Sequence, residues 1–213
     1  MSSVVVVDYG VGNIRSVAQA FRQLGREVDV TSDPKKIITA RNLVLPGVGA
    51  FKHAMAELLK RDLVQSILEY AASGKPLLGI CVGMQVLFEK GFENGECAGV
   101  GLMPGKVERI SESDDQTALR KLPHIGWNKL YINGKEHSLK SDWTGAVAIE
   151  ESFYFVHSFH CVVEDKEAKI ITAKYENLEF TSIVTKKNLT GFQFHPENSG
   201  IDGLKILKNW IDY

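Results

Sequence analysis

The first ninety or so residues alternate between short apolar runs and segments with helical spacing, and this alternation is the strongest constraint on the fold. The run Val4–Val7 is β-branched throughout, which is typical of a strand buried on both faces. Ile14, Val17, Phe21 and Leu24 follow at helical spacing. Further strand-like runs lie at Val28–Val30, Leu43–Leu45 and Pro76–Ile80, and helical spacing recurs at Phe51–Leu58, Leu63–Tyr70 and Met84–Glu89. Strands separated by helices predict right-handed crossovers and a parallel sheet.

The second half of the chain is dominated by short β-type runs, at Val107–Ile110, Trp127–Tyr131, Phe153–Val156, Ile170–Ala173, Phe180–Val184 and Leu189–Phe194. The polar segment Ser111–Gln116 predicts an exposed loop, and Leu204–Ile211 has the spacing of a closing amphipathic helix. We therefore predict an α/β fold: a single three-layer domain over residues 1–213, with a mostly parallel central sheet flanked by helices and additional antiparallel strands in the C-terminal half.

Charge and cysteine content exclude several classes of function. Lys plus Arg number 25 and Asp plus Glu 26, so the chain lacks the basic excess of a nucleic-acid-binding protein. No basic segment precedes Val4–Val7, and no apolar run approaches the length of about 18 residues that a membrane span needs, so we expect neither a signal peptide nor a membrane segment. Cys81, Cys97 and Cys161 match no metal or redox spacing. We predict a cytoplasmic protein without metal or cofactor.

The segment Gly79-Ile80-Cys81-Val82-Gly83 follows a predicted buried strand and opens a predicted helix. G-x-C-x-G is the thiol counterpart of the G-x-S-x-G nucleophile elbow, in which a sharp strand-to-helix turn exposes one side chain above the sheet. The start of the helix directs N–H groups at the sulfur and favours the thiolate. The segment therefore makes Cys81 a candidate nucleophile; the alternative is a buried cysteine at a strand end.

A candidate base lies near the C-terminus, in His195-Pro196-Glu197. The preceding strand should carry His195 to the carboxyl edge of the sheet, where α/β active sites lie. Pro196 favours an extended His195, and residues two apart in an extended chain face the same way. Glu197 can then hold one imidazole nitrogen while the other faces a substrate, as a general base requires. The alternative is a surface histidine beside a solvated glutamate.

Two glycine-containing turns complete the candidate site. Pro46-Gly47-Val48-Gly49 follows a strand, and its backbone N–H groups, together with that of Val82, could form an oxyanion hole. The alternative is an ordinary strand-to-helix turn. Asp8–Asn13 lacks the third glycine of a dinucleotide fingerprint, because position 15 is Arg15. We interpret it as a turn at the rim of the site or on a partner surface.

A cysteine after a buried strand and a late His-Pro-Glu resemble the class I glutamine amidotransferases, which carry a Cys-His-Glu triad, and the resemblance covers essentially the whole chain. Finer motifs resemble one branch of that family, the glutaminase subunits of imidazole glycerol phosphate synthases. These motifs are Asp8–Ile14, Pro46–Gly49, Cys81–Gln85, Leu122–Asn128 and Tyr154–Ser158.

The resemblance implies a role for each matched residue: Cys81 as nucleophile, His195 as acid and base, Glu197 as the orienting carboxylate, Gly49 and Val82 in the oxyanion hole, Gly47, Gln85, Glu93 and Ser158 in glutamine binding, and Tyr154 and Asn13 at a partner interface. It also implies that the Val48–Gly49 peptide reorients when the partner is loaded. The implied partner is a (β/α)₈-barrel cyclase that forms a heterodimer with the chain and receives its ammonia.

One position departs from the pattern. The family usually has Lys or Arg after His-Pro-Glu, whereas this chain has Asn198. The triad is intact, so the departure concerns the partner: a paralogous subunit that supplies ammonia for amidation of a surface-polysaccharide sugar is an alternative. A stand-alone thiol amidase and a non-catalytic relative are the two others.

Overall fold

In the computed structural model, which describes residues 3–112, 120–132, 135–136 and 152–212, strands and helices alternate through the first half of the chain as predicted. The strands are β1 Ser3–Val7, β2 Glu27–Thr31, β3 Asn42–Gly47, β4 Leu77–Cys81, β5 Phe88–Gly91, β6 Cys97–Ala98, β7 Met103–Arg109, β8 His124–Ile132, β9 Lys135–Glu136, β10 Ser152–His157, β11 Phe159–Val163, β12 Lys169–Tyr175, β13 Leu178–Lys186 and β14 Leu189–Phe192. The helices are α1 Ile14–Gln23, α2 Pro34–Thr39, α3 Phe51–Lys60, α4 Leu63–Ala72, α5 Val82–Gln85 and α6 Gly200–Asp212.

The main sheet has the strand order β10-β8-β12-β13-β14-β4-β3-β1-β2, with β9 paired to β8. The strands from β14 to β2 are parallel, and every pairing from β13 to β10 is antiparallel. Strand β3 is buried at every position, and Val4–Val7 of β1 are buried as their β-branched run predicted. The predicted α/β class, with a parallel centre and antiparallel strands added from the C-terminal half, is confirmed.

A second sheet, of order β11-β7-β5-β6, was not predicted as a separate unit. The predicted helix over Met84–Glu89 is wrong, because α5 ends at Gln85 and Phe88–Gly91 forms strand β5. Strand β5 pairs with β7, which lies more than ten residues further along the chain. This non-local pairing satisfies the backbone of a segment in which Phe88 is the one large apolar residue, so that local spacing does not define its structure. Strand β11 and helix α2 were also missed.

The core lies between the main sheet and its helices, where the aromatic side chains of Phe21, Phe51, Phe192 and Phe194 are fully buried. Of the predicted loop Ser111–Gln116, Ser111 and Glu112 are exposed, and the remainder lies outside the described residues. Within the described ranges, no helix combines the length and the apolar character that crossing a membrane requires.

Candidate active site

Cys81 lies at the carboxyl end of β4, in the sharp turn that the sequence predicted. Its backbone has φ +54° and ψ −112°, a conformation that L-residues rarely adopt. A Cβ at Gly83 would lie 1.8 Å from the carbonyl oxygen of Leu45, and one at Gly79 would lie 2.6 Å from that of Gly83. Both glycines are therefore required for β3, β4 and the first turn of α5 to pack this closely.

His195 reaches the same edge of the sheet from β14, the parallel neighbour of β4, in which Phe192 is opposite Ile80. Its Nδ1 is 2.8 Å from Oε1 of Glu197, and both side chains are almost completely buried. The predicted contact is present, but its geometric basis differs. His195 is extended, whereas Pro196–Asn198 forms a turn of 3-10 helix that brings Glu197 back to the imidazole.

The second imidazole nitrogen of His195, Nε2, is buried and makes no protein hydrogen bond of normal geometry in the described part of the chain. Burial alone would lower the pKa of His195. The charge and hydrogen bonding of the neighbouring Cys81 sulfur, together with Glu197, outweigh burial and raise the pKa well above 6.5. The surroundings of His195 therefore favour an imidazolium beside the sulfur, the arrangement of an activated thiol nucleophile.

A cavity of about 370 Å³ opens beside the sulfur, and we call it the Cys81 cavity. Its volume is in the range of sites that bind small molecules. Its lining comes from five separate parts of the sequence. Seven of the predicted site residues line it: Gly49, Cys81, Val82, Gln85, Glu93, Ser158 and His195. Val48, Ala50, Pro123, Val156, His157 and Phe159 complete the lining.

Gly47 lies beneath the cavity and does not line it. Its Cα is opposite Cys81 in the β3–β4 ladder, and a Cβ there would lie 2.5 Å from the backbone nitrogen of Gly83. Gly49, by contrast, has φ +90° and open space around its Cα. The turn therefore has a tightly packed half at Gly47 and a loosely packed half at Val48–Gly49.

Glu93 is fixed at one side of the cavity by the N-terminus of α3, where the backbone N–H of Phe51 donates to its Oε2 at 2.8 Å. Gln85 also lines the cavity; it is buried, and its Nε2 donates to the carbonyl oxygen of Phe159 at 3.0 Å. The predicted binding residues thus bring a carboxylate and an amide to one cavity.

The structure adds two buried polar residues that the sequence analysis did not select. Tyr9 is fully buried, and its hydroxyl donates to the carbonyl oxygen of Pro46 at 2.7 Å, which fixes the start of the glycine turn. His157 lines the Cys81 cavity, and burial lowers its pKa to about 3. The neutral ring donates from Nδ1 to the carbonyl oxygen of Phe159 at 2.9 Å. For both Tyr9 and His157, the signal in the sequence was a tyrosine or histidine next to the end of an apolar strand.

The two predicted interface residues lie apart from the cavity. Tyr154 is half-buried, and its ring is 5.8 Å from that of Trp127. Trp127 and Ile125 point from the same face of β8 and are 57% and 59% exposed. We call Ile125, Trp127 and Tyr154 the Trp127 patch. Asn13 is half-buried, and its carbonyl oxygen accepts the N–H of Val17 in the first turn of α1.

Comparison with known proteins agrees with this architecture. The family model described as "Glutamine amidotransferase class-I" matches residues 5–212. A crystal structure of a glutamine amidotransferase superposes with a TM-score of 0.71 at 16% identity, covering 98% of this chain and 97% of the other. The structure of PurLQS from Thermotoga maritima superposes with a TM-score of 0.73 at 20% identity, covering 100% of this chain and 98% of the other. The chain therefore belongs to the class I glutamine amidotransferase family.

The curated relatives carry the name of one particular subunit within this family. A protein of Sulfurimonas denitrificans named imidazole glycerol phosphate synthase subunit HisH is 44% identical, with 99% of this chain and 98% of that protein aligned. The subunit of the same name from Lactococcus lactis is 42% identical over 100% and 99% of the two chains. A Legionella pneumophila protein named subunit HisH 1 is 38% identical over 99% of both.

Proposed function

We propose that the chain is the glutaminase subunit of an imidazole glycerol phosphate synthase, which hydrolyses glutamine to glutamate and ammonia for histidine biosynthesis. The convergence of Cys81 with the His195–Glu197 pair on one cavity is the observation that carries this proposal. Relatives that align over nearly their whole length and carry the name of that subunit support the choice of pathway.

The reaction follows from the positions of the three side chains. The Cys81 thiolate attacks the side-chain amide carbon of glutamine, and N–H groups at Gly49 and Val82 stabilise the oxyanion. His195 transfers its Nε2 proton to the leaving nitrogen, ammonia departs, and a γ-glutamyl thioester remains. His195 then takes a proton from water, whose oxygen attacks the thioester and releases glutamate and the thiolate. Glu197 holds Nδ1 throughout and fixes the tautomer.

Glutamine binding is assigned to Gln85, Glu93 and the backbone near Ser158. The carboxylate of Glu93 has one oxygen on the N-terminus of α3, and its negative charge suits the α-ammonium group of an amino acid. The Gln85 amide and the Ser158 backbone supply neutral hydrogen-bonding groups to the same cavity. One charged contact and several neutral ones are typical of a site for a small zwitterion.

The ammonia acceptor is a (β/α)₈-barrel cyclase, with which the chain forms a heterodimer and which makes imidazole glycerol phosphate and AICAR. The exposed aromatic and aliphatic side chains of the Trp127 patch suit the apolar centre of such an interface. We place Asn13 and Asn198 at the polar margin of this interface. Because Cys81 must remain reduced to act as a nucleophile, we place the complex in the cytoplasm.

The test is to measure glutamate release by the full chain alone, with the cyclase of the same organism, and with that cyclase plus its nucleotide substrate. We expect weak activity alone and strong activity in the loaded complex. Cys81→Ala should abolish it. Cys97→Ala is the matched control, because Cys97 is a free thiol on β6 outside the cavity and its loss should change nothing.

The possible outcomes separate the proposal from its alternatives. Full activity without any partner would indicate a stand-alone amidase, and no activity under any condition would indicate a non-catalytic relative. Activation by another barrel protein, identified by co-purification, would indicate a paralogous acceptor pathway and would give Asn198 its explanation.

A further inference from the structure

Gln193 is a fully buried amide directly behind the candidate nucleophile. It lies between the end of β14 and His195, and its backbone N–H donates to the carbonyl oxygen of Ser182 at 2.8 Å. Its side-chain Nε2 is 3.8 Å from Sγ of Cys81. This distance is within the range of a hydrogen bond to sulfur. Gln193 does not line the Cys81 cavity, so glutamine binding does not account for it.

A backbone carbonyl group sets the orientation of this amide. The oxygen of Phe159 accepts from Nδ1 of His157 at 2.9 Å and from Nε2 of Gln85 at 3.0 Å. Because a carbonyl oxygen can only accept, Gln85 must direct its NH₂ group to this side. The other N–H of that group then donates to Oε1 of Gln193 at 3.1 Å. With its oxygen engaged there, Gln193 has its NH₂ group directed at the sulfur of Cys81.

We propose that Gln193 is a positioning residue for Cys81 that donates an N–H hydrogen bond to the thiolate and connects it, through Gln85, to the wall of the substrate cavity. The proposal rests on the proposed glutaminase function and deepens it. A thiolate accepts a hydrogen bond more strongly than a neutral thiol does, so this donor favours the reactive form. An amide N–H does not give up its proton, so the proton transfers remain with His195.

The contacts of Gln193 are not those expected of a residue that only fills space in the core. A buried amide costs free energy unless its groups are paired, and an apolar side chain of the same length would fill the same space without that cost. The neighbouring residues Phe192 and Phe194 are both apolar and fully buried. The one amide in this run is the residue whose side chain reaches the sulfur.

The first test measures the alkylation rate of Cys81 by iodoacetamide against pH in the full chain, with the labelled peptides quantified by mass spectrometry. In Gln193→Met, which keeps the length but removes the donor, we expect the midpoint of the profile to rise by about one pH unit, a tenfold loss of thiolate at a fixed pH below the midpoint. Gln193→Glu keeps an acceptor for Gln85 but puts a negative charge near the sulfur, and should raise the midpoint further. Cys97, labelled in the same sample, should not change.

The second test is turnover with the cyclase partner. Gln193→Met should lower kcat about tenfold and leave KM within about twofold, because the substrate contacts of Gln85 remain. The control variant Ser182→Ala removes a buried hydroxyl from β13, the strand that Gln193 contacts, and should leave kcat and the alkylation profile unchanged. A Gln193→Met protein that folds and retains both the wild-type profile and the wild-type kcat would overturn the proposal.

If both Gln193 variants fail to fold, a measurement on the wild-type protein still tests the proposal. The side-chain NH₂ resonances of Gln193 should titrate with the alkylation midpoint of Cys81, and the titration should disappear in Cys81→Ala. Resonances that do not respond to the sulfur would reject the contact. Alkylation and NMR need no glutamine, so a failure of the proposed glutaminase function would be recognised separately, as wild-type complex that releases no glutamate.

Discussion

The backbone conformation of Cys81 predicts an unusual stability difference between two variants that lack its sulfur. At φ +54° and ψ −112° a Cβ atom is crowded by the neighbouring backbone, and a residue held in such a region carries strain of about 1–3 kcal/mol. Cys81→Ala keeps the Cβ and therefore the strain. Cys81→Gly removes both, because glycine adopts positive φ freely. Both variants lack the sulfur, so the comparison isolates the backbone.

The expected magnitude comes from three contributions. Replacing alanine by glycine in an ordinary buried strand costs about 0.5–1 kcal/mol in backbone entropy and up to about 0.8 kcal/mol for the lost methyl group. At position 81 the relief of about 1–3 kcal/mol of strain offsets these costs. In the middle of these ranges a strain relief of about 2 kcal/mol offsets costs of about 1.5 kcal/mol, so Cys81→Gly should be about as stable as Cys81→Ala. Ala173→Gly, in β12 and fully buried, is the matched control and should lose about 1.5 kcal/mol.

Urea unfolding followed by circular dichroism gives both differences, and a loss of about 1.5 kcal/mol should lower Tm by roughly 3–6 °C in a chain of this size. The reasoning is refuted if the change from alanine to glycine costs the same at position 81 as at position 173. That result would mean that the turn at the nucleophile stores no strain.

Three further predictions concern single contacts. Gly83→Ala should destabilise the chain by more than about 3 kcal/mol, because its Cβ would collide with the Leu45 carbonyl group, whereas Gly126→Ala, with no atom closer than 3.8 Å, should stay within about 0.5 kcal/mol in the same urea assay. Glu197→Gln should lower kcat for glutamate release at least about 100-fold and preserve glutamine binding, since it removes the carboxylate that orients His195; a loss below tenfold would contradict the triad. Burial lowers the pKa of His157 from 6.5 to about 3, so the unfolded chain binds this proton first and stability falls as pH drops below 6.5, by about 2 kcal/mol at pH 5. His157→Gln should make the dependence of unfolding free energy on pH shallower by about 1.4 kcal/mol per pH unit. An unchanged slope would mean that the folded protein takes up this proton as readily as the unfolded chain does, on the pair formed by His124 and His157, whose ring nitrogens are 3.1 Å apart.

The sequence predicts the parts of the fold that depend on local patterns. Val4–Val7 and Leu43–Leu45 have no polar residue in their apolar runs, and both are buried strands of the parallel sheet. Helix α2 was missed although its signals are local: Pro34 is its first residue and the side chain of Asp33 accepts the N–H of Lys35. That error comes from incomplete use of the sequence and not from a limit of local information.

The second sheet is different, because pairing between distant segments decides it. Phe88 is the one large apolar residue in Phe88–Gly91, so the segment has no periodicity of its own, and the pairing with β7 selects the strand. Strand β11 pairs with β7 across about fifty residues of sequence. Neither pair of strands fits completely within the window of about 11–18 residues in which periodicity is read, so local periodicity cannot resolve them.

The residues of the candidate site show the same difference between local and non-local information. Cys81, His195 and Glu197 stand in motifs whose spacing indicates their chemistry. Gln193 and Tyr9 stand in apolar surroundings, and only their partners, the Cys81 sulfur and the Pro46 carbonyl group, show what they contact. A buried polar residue in a strand signals that a partner exists, since unpaired groups are costly in the interior, but it does not identify the partner.

The site lies between the two kinds of strand pairing, and this position suits the control by a partner that we propose. The parallel half supplies the sulfur and the glycine turn, and β14, where the sheet changes to antiparallel pairing, leads into His195. Most of these groups are closely packed or hydrogen-bonded: Gly47 is packed against Gly83, and His195 is held by Glu197 and by the Tyr154 carbonyl group. Val48 and Gly49, by contrast, are exposed, and a Cβ at Gly49 would have no atom within 4 Å. We therefore expect that a bound cyclase would move the proposed oxyanion donors without disturbing the triad, which is the arrangement that a glutaminase coupled to its acceptor requires.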